Sequence, residues 1–97
     1  MPTRRDDYTP TYISSAATTI IAGVATKFIS IIVNSTAAGT ITVYNAATSA
    51  TCSASNRIAV LKTSVVEGDY NYFVKLSTGL IVVTAAASDI TVTTGTA

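Results

Sequence analysis

The sequence predicts an all-β domain, a β-sandwich or jelly-roll-like fold of seven or eight short strands behind an extended N-terminal arm. Three observations lead there. Apolar and polar residues alternate in one segment after another, which is the period of a half-buried strand. Turn signals part these segments roughly every ten residues, the spacing of a sandwich or jelly roll. The stretch where a helix would compete is rich in β-branched residues, and such side chains lose freedom in a helix but pack well on a pleated surface.

Residues 1–12 stand apart as the arm, and residues 13–97 form the domain. The arm holds both prolines, Pro2 and Pro10, four of the chain's eleven charged residues (Arg4, Arg5, Asp6 and Asp7), and two tyrosines, Tyr8 and Tyr12. Pro10 disfavours helix for Thr9 and suits an extended segment. A first strand is expected over 18–22. Over 14–32 the alternative is a helix, which the run of Thr18, Thr19, Ile20, Ile21, Val24 and Thr26 argues against. Residues 28–33 put Ile29, Ile31 and Val33 on one face and Phe28, Ser30 and Ile32 on the other. In 40–44, Ile41 and Val43 alternate with Thr40, Thr42 and Tyr44. The short glycine-containing link between these two segments reads as a hairpin turn.

Residues 45–55 carry only small and polar side chains and read as a loop, with room for a poor edge strand. In 57–63, Ile58 and Val60 oppose Ala59 and Leu61. Glu67-Gly68-Asp69 reads as a turn. Tyr70, Tyr72, Val74 and Leu76 then share one face, against Asn71, Phe73 and Lys75. Residues 80–84 are almost wholly apolar, as expected of a strand buried on both sides. The run from Asp89 to Ala97 closes the chain. It contains neither Lys nor Pro, so it reads as an unprotected sheet edge.

Composition narrows the function. Apolar residues make up 48% of the chain, enough for one core, but charged residues only 11%. An average domain carries about 25%. So thin a charge cover does little to keep copies apart, and self-association is expected. The net charge of +1 comes from scattered Lys and Arg rather than a basic stripe, which argues against nucleic-acid binding. The charged start lacks an apolar h-region, and Ile13 to Val33 is broken by polar residues, so neither a secretory signal nor a membrane span is expected.

Catalysis is not expected. The chain has no histidine, which removes the commonest general base and transition-metal ligand. One cysteine, Cys52, offers neither a zinc set nor a disulfide within the chain. Glu67 and Asp69 flank Gly68, and acids at turns are ordinarily there because turns are solvated. No catalytic residue, metal or cofactor is therefore expected. What remains is contact chemistry. Arg4, Arg5, Asp6 and Asp7 offer paired charges, while Tyr8, Tyr12 and Tyr44 offer aromatic anchors of the kind that dominate interfaces.

The order and spacing of Phe28-Ile29-Ser30-Ile31-Ile32-Val33, Gly39-Thr40-Ile41-Thr42-Val43-Tyr44-Asn45, Gly79-Leu80-Ile81-Val82-Val83 and Asp89-Ile90-Thr91-Val92 resemble small β-sandwich virion structural proteins of tailed bacteriophages. The resemblance covers roughly residues 20–93 and is a pattern of strands and turns, with no catalytic motif in it. It implies a non-enzymatic capsid decoration (cement) protein on the outside of the virion. Its partner would be the major capsid protein or another virion protein, and its own assembly a homo-oligomer, with a trimer favoured. The alternative is a tail or baseplate module that binds host-surface carbohydrate, for which Tyr44 with Asn45 is the candidate pair.

Overall fold

Strands form where the sequence alternates. In a computed structural model, which describes residues 8–35 and 38–96, eight appear: β1 (Thr9–Ile13), β2 (Ala17–Ala22), β3 (Thr26–Ser35), β4 (Ile41–Tyr44), β5 (Arg57–Leu61), β6 (Gly68–Leu76), β7 (Leu80–Thr84) and β8 (Asp89–Thr96). Two 3-10 turns, Ser49–Thr51 and Ala54–Asn56, shape the loop between β4 and β5. Residues 17–32 contain no helix, in line with their β-branched side chains.

The strands make two four-stranded antiparallel sheets, β1-β8-β3-β6 and β2-β7-β4-β5. Pairing is nested: β4 with β5, β3 with β6, β2 with β7, β1 with β8. One long antiparallel ribbon, folded back at the β4–β5 loop, has thus been rolled until β3 meets β8 and β4 meets β7. That winding is a jelly roll, an eight-stranded double sheet.

The core lies between the sheets. Ile13, Phe28, Ile31, Val33, Leu76, Ile90 and Val92 from one face meet Ile41, Val43, Leu61, Leu80 and Val82 from the other. Burying a side chain of this size contributes about 1.5–3 kcal/mol, so this layer is the main term holding the sheets together. β7, between β2 and β4, is buried on both sides as its apolar run predicts. On β6, Tyr70, Tyr72 and Val74 lie half-buried and Leu76 buried, while Asn71, Phe73 and Lys75 are exposed, again as the alternation predicts.

Five expectations need correction, the first being the turn at Glu67-Gly68-Asp69, since Gly68 and Asp69 already belong to β6 and pair with Val33 and Ile32. Residues 28–33 and 40–44 are not a hairpin, because β3 and β4 belong to different sheets. A strand–turn–strand pattern reports faces and turns, and it is silent on whether the second strand pairs with the first or crosses to the opposite layer. The run from Asp89 is no edge: β8 lies between β1 and β3, so its ladder groups are used on both sides. The arm does not extend through residue 12, because residues 9–12 belong to β1. Pro10, on that outer strand, is where a residue without an N–H is tolerated in a sheet. Lastly, Phe28 shares the core face with Ile31 and Val33. The ladder slips between Phe28 and Ser30, and that bulge shifts the inward phase by one residue.

Candidate functional site

The described residues offer no enclosed pocket, and no three of their His, Cys, Asp and Glu side chains cluster as metal ligands would. None of their helices is long and apolar enough to cross a membrane. The candidate sites are therefore surfaces, namely the outward faces of the two sheets.

On the β1-β8-β3-β6 sheet, cross-strand register aligns Tyr12, Thr91, Ile32 and Asp69 in one outward row, and Pro10, Thr93, Ser30 and Asn71 in the next. Tyr12 is 61% exposed and Phe73, further along β6, 64%. Ile32 is also exposed. Tyr8 lies just before β1 with its ring against Gly95, where an added Cβ would come within 3.3 Å of the ring. Ile29 reaches the same spot and is buried although it lies outside the core cluster. Ile29 is the extra residue of the β3 bulge, and the bulge is what turns it toward this outer face.

Beside Tyr12 stands a small polar group. The Asn34 amide donates to Asp89 Oδ1 at 3.2 Å and to Thr91 Oγ1 at 3.4 Å. The neighbouring Asp89 carboxylate raises the pKa of the Tyr12 phenol above its ordinary value, since a carboxylate beside it favours the protonated form. An exposed ring flanked by a carboxylate and an amide is thus assembled by three strands, β1, β3 and β8. No sequence spacing announces it, because Tyr12, Asn34 and Asp89 are far apart along the chain.

The other sheet presents a different face. Its outward rows are Ile20, Ile81, Tyr44 and Arg57, then Thr18, Val83, Thr42 and Val60. Ile20 is 53% exposed and Val60 50%, while Ile81, between Ile20 and Tyr44, is fully covered. Arg57 is the one charge in those eight positions.

The expected contact residues are therefore not brought together. Tyr8 and Tyr12 lie on one outward face and Tyr44, half-buried, on the opposite one. Arg4, Arg5, Asp6 and Asp7 fall outside the described residues. The pairing of Tyr44 with Asn45 as a sugar site fails on hydrogen bonding. Asn45 Oδ1 accepts from the backbone N–H of Thr78 (3.0 Å) and Gly79 (3.3 Å), and its Nδ2 donates to Ser77 Oγ at 3.4 Å. That amide pins the turn between β6 and β7 and has little left for a ligand. Compared with protein-family models, curated proteins and solved structures, the chain finds no match.

Proposed function

We propose that this chain is a non-enzymatic virion structural protein, a capsid decoration protein that docks on the major capsid lattice and associates with copies of itself. The observation that carries the reading is the outward face built on β1, β8, β3 and β6, where Tyr8, Tyr12, Ile32 and Phe73 stand exposed among Thr, Asn and few charges. Exposed aromatics on a rigid sheet are suited to anchor a protein interface, with polar neighbours as its rim. The jelly roll is an architecture that viral capsid domains also use, and this supports the reading by analogy of fold alone. Residues 1–7, which lead into Tyr8, would extend the contact with the paired charges of Arg4, Arg5, Asp6 and Asp7. Self-association answers the low charge of the surface; a trimer follows from the resemblance, while a dimer satisfies the same physics. Copy number in purified particles whose genome encodes the chain tests the role. Hundreds of copies per particle fit decoration, and absence from the particle would contradict any virion role.

A second reading is a tail or baseplate module binding host carbohydrate, favoured by the Tyr12, Asp89 and Asn34 group. A sugar ring can stack on an exposed aromatic while an acid and an amide take its hydroxyls. A handful of copies per particle, with glycan binding lost in Tyr12→Ala, would select it.

A further inference from the structure

We propose that β2 is a self-pairing edge through which two copies join antiparallel about a two-fold axis, merging their β2-β7-β4-β5 sheets into one continuous eight-stranded sheet. The inference rests on the self-association in the proposed function and assigns it a place.

The two sheets leave four edge strands: β1, β6, β2 and β5. Natural edges are blunted with proline, charge or bulges. β1 carries Pro10, β5 carries Arg57, and β6 carries Asp69 and Lys75 around a bulge where Phe73 takes φ 52°. β2 alone has neither charge nor proline, and no charged residue stands anywhere from Ser14 to Thr26. Its one irregularity, at Ile21, leaves Ala17 to Ile20 in regular register with β7.

The free groups can be assigned. Ala85 N donates to Thr40 O, which turns the peptide groups of Thr84 from β4 toward β2. Ala17, opposite Thr84, donates its N–H to Thr84 Oγ1 at 3.0 Å, so the peptide groups of Ala17 face β7. Direction alternates along an antiparallel ladder, which turns the N–H and C=O of Thr18 and Ile20 toward the open edge. A two-fold centred on Thr19 would set Thr18 against the second copy's Ile20, and Ile20 against its Thr18. Each pair exchanges two hydrogen bonds, and the two Thr19 side chains meet, a favourable cross-strand pair.

Charge selects the occupant. The surface beside this edge carries Thr18, Ile20, Val83, Thr42, Ile81 and Tyr44 and no charge before Arg57 on the far strand. A charged partner would leave its charges desolvated and unpaired there, at a cost. A second copy brings the same uncharged edge, and a two-fold contact closes on itself instead of propagating into fibres.

Sedimentation equilibrium at micromolar concentration tests this, with folding of each variant verified by circular dichroism. Native chain should have roughly twice the 10.0 kDa monomer mass. Ile20→Lys should halve that mass, as should Thr18→Pro, which removes an edge-facing N–H without taking a bond from β7. Thr93→Lys, on the opposite sheet face, should leave it unchanged. With Cys52→Ser as background, Thr19→Cys should give a disulfide-linked dimer on oxidation. A native oligomer that keeps its mass in both edge variants, or that is trimeric, would overturn the β2 pairing while leaving self-association standing. A native monomer would overturn both.

Discussion

The rings of Phe28 and Tyr72 stack inside the sandwich, their centroids 4.7 Å apart and their planes 17° from parallel. Phe28 is fully buried on β3, and Tyr72, half-buried on β6, packs against the core at the outer strand of its sheet. Phe28→Ala should therefore cost about 3–5 kcal/mol, through lost burial and the cavity left behind. Tyr72→Phe keeps the stack and should change stability little at neutral pH. Urea denaturation of both variants checks the contrast.

Stability should fall in alkali through the same residue. Burial first, and the neighbouring Tyr70 second, raise the Tyr72 phenol above its ordinary value of 10.0. Below about pH 10 the tyrosine is protonated in folded and unfolded chains alike, and it makes no pH-dependent difference. Above that the unfolded chain releases the proton and the folded chain retains it, so stability declines as pH rises through the folded value. Denaturation midpoints should be flat from neutral pH to about 10 and then drop. Tyr72→Phe should lessen that drop.

Gly79 closes the turn between β6 and β7. A Cβ there would lie 2.6 Å from the backbone oxygens of both Ala22 and Ala46, neither of which is a flexible side-chain end. Gly79→Ala should destabilise by about 1–3 kcal/mol through overpacking. Asn45→Ala, which strips the side-chain bonds from the same turn, should cost about 1–3 kcal/mol. Thermal melts measure both.

Truncation should separate arm from strand. Removing residues 2–7 touches none of the described core and should leave the melting temperature unchanged. Removing residues 2–12 takes away most of β1 and uncovers the edge of β8 beside Ile90 and Val92. That variant should melt lower and aggregate more readily, as an exposed hydrophobic edge does. Equal melts for the two truncations would contradict the role given to β1.

The sequence announces which residues face inward far better than which strands meet. Tyr70, Tyr72, Val74 and Leu76 declare their common face by spacing alone, and the apolar run of β7 declares a strand covered on both sides. Pairing is another matter. In a rolled ribbon Thr9 lies opposite Thr94, and no local signal connects them. For the same reason β8 reads as an edge and proves interior. The shift at Ile29 was invisible too, since a bulge moves the phase without leaving a polar residue to mark it. The group of Tyr12, Asn34 and Asp89 arises only once β1, β8 and β3 lie side by side, and Tyr12 is exposed as an outward residue of β1 rather than as part of a polar arm.

The decoration role is tested most directly by reconstructing the particle whose genome encodes this chain. The account predicts density for the eight-stranded sandwich on the capsid exterior, with Tyr8, Tyr12 and Phe73 turned toward the capsid subunits. Density confined to the tail, or a capsid-bound sandwich with that face turned to solvent, would contradict it.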